Sequence, residues 1–268
     1  MGASIHAAAR AALQACDPAH KCALVAALKA DADAGRLGPC PDEAPLPIGE
    51  PGRPPRPVLI DPAAVPDRRP SAENGHAALL HAIAHIEFNA INLALDCVYR
   101  FRDLPEDFYT GWVDVAAEEA RHFGLVCDCL AAAGAAYGDF PAHNGLWEMT
   151  VKTAHDPLAR MALVPRVLEA RGLDATPPIM ARLRRSGDTR TLAVLDIILR
   201  DEIGHVALGD RWFRHFCAQR GLEPEAQYRA LIDAFDAPWP RPPLNRPARR
   251  RAGFSEQELD RLERPRRR

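Results

Sequence analysis

"RDEIGHVALGD", residues 200–210, sets a glutamate and a histidine three positions apart in an otherwise apolar run. Residues three apart on a helix are surface neighbours, so Glu202 and His205 project side by side. The surrounding helix is written for burial. Its face runs through Leu195, Ile198, Gly209, Trp212 and Phe216, and Glu202 and His205 fall on that same face. A glutamate buried alone costs several kcal/mol. "EEARHFG", residues 118–124, repeats the pattern with Glu119 and His122.

Across the chain the apolar period predicts an all-α protein, and strand signals are scarce. One helix runs from residue 72 to about 100, with a face at Leu80, Ala84, Glu87, Ile91, Leu95 and Val98. A second runs from about 106 to 133 and carries Glu119 and His122 between Val115 and Val126. A third starts with Asp156 as cap and Pro157 in the first turn, and ends near Gly172. Its face is Leu158, Ala162, Pro165, Glu169 and Leu173, and Pro165 removes a backbone bond one turn before Glu169. A short helix is expected between Thr176 and Arg185, and a fourth long one from the Asp188 cap to about Arg220. Short loops join the first pair and the second pair, whereas residues 135–155 are long enough for a return crossover. The expected architecture is two antiparallel hairpins making a four-helix bundle.

Each of the four stripes therefore holds a carboxylate, and two hold a histidine as well. Four carboxylates in one core would repel one another unless protons, arginines or cations intervened. Two imidazoles and four carboxylates make a mainly hard donor set that suits two iron or manganese ions. Spacing supports one repeated device. Glu87 precedes Glu169 by 82 residues, and Glu119 precedes Glu202, as His122 precedes His205, by 83. A pseudo-twofold axis between the hairpins would bring the two triplets together.

"HIE" at 85–87, "EEARH" at 118–122, "VLEARGLD" at 167–174 and "RDEIGH" at 200–205 resemble the ferritin-like superfamily of di-iron carboxylate proteins. Within it they look most like the uncharacterised bacterial ferritin-like proteins called DUF455, over roughly residues 72–220. The resemblance implies Glu87 and Glu169 as single-helix metal ligands and Glu119–His122 and Glu202–His205 as the paired ones. It makes Glu119 and Glu202 the bridging candidates. It also implies that Glu118 and Asp201 brace the histidines by hydrogen bonds. The implied function is a di-iron oxidase or oxygenase that uses dioxygen, a small-molecule substrate and an electron donor. Ferroxidase or iron handling is the second reading, and manganese can replace iron in such a donor set. A metal-free helical interaction module is the third, with the acids paired to arginines such as Arg121 and Arg171.

Other features bound the reading. A third Glu-x-x-His, Glu73 and His76, lies three turns before Glu87 and reads as an exposed first helical turn. His81 and His85 read as helix-surface or inter-helix hydrogen-bonding groups, His155 as a neighbour of the third helix's cap. Trp147, Trp212 and Phe216 read as core. The 268 residues are 47% hydrophobic, enough for a sizeable core, and a net charge of −2 selects no partner. Seven cysteines without a CxxC pair point to a reducing cytoplasm. No long apolar segment at the N-terminus and no run of 18 uncharged apolar residues argues for membrane insertion.

The chain divides into an N-terminal helical segment (1–37), a proline-rich linker or strap (38–71), the bundle (72–220) and a C-terminal extension (221–268). In the first segment, Asp17 caps a second helix that opens with Pro18. Residues 38–70 hold eleven of the 25 prolines, which predicts extended backbone. The last 23 residues hold nine arginines and four acids, and such a run reads as a solvated, disordered tail rather than a nucleic-acid contact. "SEQELDRLE" at 255–263 predicts one short surface helix. Oligomeric state stays open.

Overall fold

A computed structural model describes residues 3–40, 44–65 and 74–264. The chain is predominantly helical and forms two compact units, residues 1–151 and 152–268.

The first unit is built on a hairpin of α3 (Gly75–Arg100) and α4 (Glu106–Ala132), joined by residues 101–105. Leu80, Ala84, Ile91, Leu95 and Val98 of α3 are buried, as are Trp112, Val113, Val126 and Leu130 of α4. Phe88 and Phe123 lock the two helices, their ring centres 5.4 Å apart. Among the described residues, α3 alone is long and apolar enough to cross a membrane, yet 78% of that apolar window is buried inside the fold. Its hydropathy is that of a core helix.

Two shorter helices, α1 (Ile5–Gln14) and α2 (Pro18–Asp33), pack on α3 and α4 respectively. Asp17 caps α2 by accepting from the His20 amide at 2.7 Å. The end of α1 is closed from α2: buried Lys21 donates through Nζ to the carbonyls of Ala12 and Leu13, both at 2.8 Å. Strand signals were scarce, and the structure adds only a two-residue parallel pairing, β1 (Ala3–Ser4) with β2 (Leu37–Gly38), among the described residues.

Residues 44–65 form a strap along this unit. Leu46 donates its amide to the Tyr99 hydroxyl at 2.8 Å, and Trp147 donates its indole N–H to the Gly49 carbonyl at 2.7 Å. Gly52 passes so close to the end of α1 that a Cβ there would lie 2.2 Å from the Gln14 carbonyl oxygen. Ile60 and Val58 bond to Ala142. The segment after α4 ends in α5 (Gly145–Lys152).

The second unit holds the other hairpin. Asp156 caps α6 (Pro157–Leu163), accepting from the Leu158 amide at 2.9 Å. A π-helical turn, Val164–Glu169, follows and leads into α7 (Ala170–Ser186). Gly187, at φ 77°, closes α7, and Asp188 immediately caps α8 (Thr189–Gln219) through the Thr191 amide. The expectation of a helix ending at Gly172 and a separate short one is corrected: one helix continues to Ser186 through Pro177 and Pro178. Proline at 177 leaves the Leu173 carbonyl without its helical donor. Asn245 supplies a replacement, its side-chain amide donating there at 3.0 Å.

The C-terminal extension is also corrected. As far as Arg264 it is folded, in α9 (Pro224–Ala234), α10 (Arg246–Arg251) and α11 (Glu256–Leu262). Its arginines find acids: Arg249 pairs with Asp174, and Arg246 with Glu256, Asp260 and Glu263. Helix α11 is no surface helix, since Glu258, Leu259 and Leu262 are buried.

Candidate metal centre

Glu87 sits mid-way along α3, on the face that meets α4, and is 3% exposed. The α3–α4 hairpin sets it opposite Glu119 and His122, which are 1% and 0% exposed. Nδ1 of His122 lies 3.3 Å from Oε2 of Glu87 and 3.4 Å from Oε2 of Glu119. One donor atom from each of the three residues falls within 4.8 Å of the others.

These distances are long for charge-assisted hydrogen bonds, which run at about 2.7–2.9 Å. They suit donors that share an ion. Two atoms each about 2.1 Å from one metal lie about 3.0 Å apart at a right angle and about 3.4 Å apart at the tetrahedral angle. The electrostatics agree. Burial, then the neighbouring Glu119 carboxylate, pushes the Glu87 carboxyl up to about 8. Burial pulls His122 down, but Glu119 and Glu87 together outweigh it and raise the imidazole to about 10. Without a cation the cluster therefore stores protons, and a divalent ion would replace them. The residues present fit such an ion.

In the second unit, α8 carries Glu202 and His205 side by side and buried, with Nδ1 of His205 3.9 Å from Oε2 of Glu202. Glu169 is half-buried and ends the π-helical turn, which packs on α8. A π-turn widens the helix by one residue and re-aims the side chains that follow. Pro165 at its second position supplies the reason, because proline lacks the N–H that an α-helical turn would use.

The remaining expectations can be placed. Glu118 is exposed on α4, and Asp201 is half-buried with Oδ1 accepting from Arg200 Nε at 2.9 Å. His76 is in the first turn of α3, while Glu73 lies outside the described residues. His85 is an inter-segment group, 2.9 Å from the Tyr137 hydroxyl and 3.1 Å from the His143 carbonyl. Buried His81 accepts from the Gly138 amide at 3.0 Å. His155 is exposed and stacks on Phe235. Trp147, Trp212 and Phe216 are core. Arg121 and Arg171 are exposed. No disulfide joins the seven cysteines.

Periodicity passed over Arg166. It is fully buried inside the π-turn, and the available signal was a lone cation in the run "MALVPRVLEA".

Comparison with known proteins gives a family without an assigned activity. A protein of Haemophilus influenzae described as "Uncharacterized protein" is 49% identical over 214 residues, 77% of this chain and 74% of the relative. No solved structure matches. The family described as "Protein of unknown function (DUF455)" matches residues 14–260, and the chain belongs to it.

Proposed function

We propose that the protein is a dinuclear metal carboxylate protein of the ferritin-like kind, an oxidase or oxygenase acting on a small organic substrate. The observation that carries this reading is the convergence of Glu87, Glu119 and His122, three buried residues whose donor atoms lie within 4.8 Å of one another. The same residue types recur 82 and 83 residues on, as Glu169, Glu202 and His205. Each triplet offers two carboxylates and one imidazole to a metal. The odd cysteine count keeps the cytoplasm as the proposed compartment.

The chain's own contribution is geometric and electrostatic. Four carboxylates against two dications leave the site close to neutral, so the buried charge is compensated. Carboxylates can bridge or bind terminally, and Glu119 and Glu202, each one helical turn from a histidine, are the bridging candidates. His122 and His205 bind as neutral imidazoles, so His122 gives up its second proton. Iron held by these residues would supply the electrons for reducing dioxygen, and an external donor would have to restore them.

Anaerobic loading with ferrous iron, followed by metal analysis, tests this. Two irons per chain are expected, with dioxygen uptake that leaves no ferric mineral. Well under one metal per chain, with the protein folded, would remove the metal reading altogether.

A further inference from the structure

Arg166 has no place in the donor set, yet it is the most heavily supported side chain around the π-turn. Its guanidinium carbon lies 4.2 Å from the ring centre of Tyr228, 4.6 Å from Phe213 and 4.7 Å from Phe254. Nε pairs with Oδ1 of Asp210 at 2.9 Å, and Nη2 bonds to Oε1 of Glu258 in α11. The Tyr228 hydroxyl donates to the Arg166 carbonyl at 2.9 Å, and so holds the backbone of the turn itself.

The network is closed electrostatically. Asp210 and Glu258 also accept from Arg214, at 2.8 and 3.1 Å, so two cations face two carboxylates. Glu258 is further fixed by the Ser255 amide in the capping box of α11. Backbone shape permits the approach. Gly253, at φ 100°, brings its turn against Asp210, where a Cβ would lie 2.3 Å from Oδ2. Gly209 does the same for Pro165, since a Cβ there would lie 2.3 Å from the ring.

A π-turn is rare because its hydrogen bonds are poorer than those of an α-helix, and it persists where surroundings over-determine it. Here α8, α9 and α11 all bear on the turn that ends in Glu169. We propose that Arg166, clamped by Glu258 of the C-terminal helix, is a positioning residue that fixes the π-turn and so aims Glu169 at the metal. The inference rests on the metal reading above. It makes the C-terminal extension part of the centre's support.

Cobalt(II) titration of the full chain, followed by its visible absorption bands, tests the clamp. Wild type, Glu169→Ala and Glu258→Gln are compared, with far-UV circular dichroism as the check on folding. The glutamine keeps the shape and removes the charge. Glu258→Gln should weaken one cobalt by about ten-fold or more, the range for groups that orient ligands. It should alter the bands of the same ion that Glu169→Ala loses. A merely structural role would lower the unfolding temperature and leave bands and affinity unchanged, and that result would overturn the clamp alone. A wild type that takes up no cobalt would overturn the metal reading and the clamp together. If Glu258→Gln does not fold, Tyr228→Phe, which removes only the bond to the turn's carbonyl, carries the same two outcomes.

Discussion

Nδ1 of His122 stands 3.3 Å from Oε2 of Glu87, across the α3–α4 hairpin and shielded from solvent. Neither group is ordered there by its own helix alone. The pair exists because two apolar faces, read at the helical period, each give up one position to a polar group at the same level. Stability and ligand affinity should therefore pull in opposite directions at this site.

Glu87→Gln tests that opposition. The amide keeps the volume and is neutral without taking up a proton, whereas the carboxyl buried beside Glu119 must bind one on folding. The metal-free variant should melt at or above the wild-type temperature, while affinity for a divalent ion falls by at least about 100-fold, beyond the loss seen for orienting groups. Calorimetry of the chelated proteins and metal titration check the two halves. A variant that keeps full affinity would remove Glu87 from the donor set.

The pH dependence of the chelated protein follows from the same residues. Glu87 moves up from 4.5 to about 8, chiefly through burial. His122 moves up from 6.5 to about 10, the carboxylates outweighing burial. Both shifts are upward, so the folded chain holds protons that the unfolded chain has released. Their stabilising contribution is complete below pH 4.5 for Glu87 and below pH 6.5 for His122, and is lost as pH rises through about 8 and about 10. The urea midpoint without metal should fall between about pH 6 and about pH 9, and fall less in Glu87→Gln. Equal slopes for the two proteins would show that Glu87 does not hold its proton.

Lys21 is a separate test of the first unit. It is fully buried and satisfies two carbonyls at the end of α1. Burial lowers its pKa to about 7, and either protonation state has hydrogens for both bonds. Lys21→Met should cost about 1–3 kcal/mol, because it fills the space but leaves the carbonyls of Ala12 and Leu13 without that donor. Chemical denaturation measures it; a loss under half of that range would mean water replaces the ammonium.

What the sequence made legible, and what it hid, divides along the range of the interactions. The caps at Asp17, Asp156 and Asp188 are local, and each side chain accepts from an amide two or three residues on. The meeting of Glu87 with Glu119 and His122 needs only the helical period and a short loop. The continuation of α7 through Pro177 was hidden, because its replacement donor, Asn245, is far along the chain. The folded extension was hidden for the same reason. A run of arginines looks solvated until Asp174 and Glu225 are brought to it. Arg166 combines both difficulties: its acids come from α8 and α11, and its aromatic cage from three further positions.

Two glycines of α8 separate packing from propensity. A Cβ at Gly209 would overlap the Pro165 ring, whereas at exposed Gly204 it would meet nothing within 4 Å. Gly209→Ala should destabilise by about 1–3 kcal/mol through overpacking against the π-turn. Gly204→Ala should stabilise by about 0.5–1 kcal/mol through helix propensity. Paired denaturation curves check the signs. A neutral Gly209→Ala would show that the π-turn yields easily, against the idea that it is rigidly held.

Pro165→Ala asks whether the π-turn is tolerated for stability or kept for the site. Alanine is about 3 kcal/mol better than proline inside a helix. Losing the ring from its contact with Gly209 forfeits about two methylenes, or roughly 1.6 kcal/mol. Propensity wins by about 1 kcal/mol on these figures, so the variant should be slightly more stable if the turn anneals towards α-helix. Annealing would rotate the chain after residue 165 and swing Glu169, the last residue of the turn, off its present direction. The expected result is a higher unfolding temperature together with loss or weakening of the metal that depends on Glu169. A variant that gains stability and keeps both metals at wild-type affinity would show that Glu169 needs no π-turn to aim it.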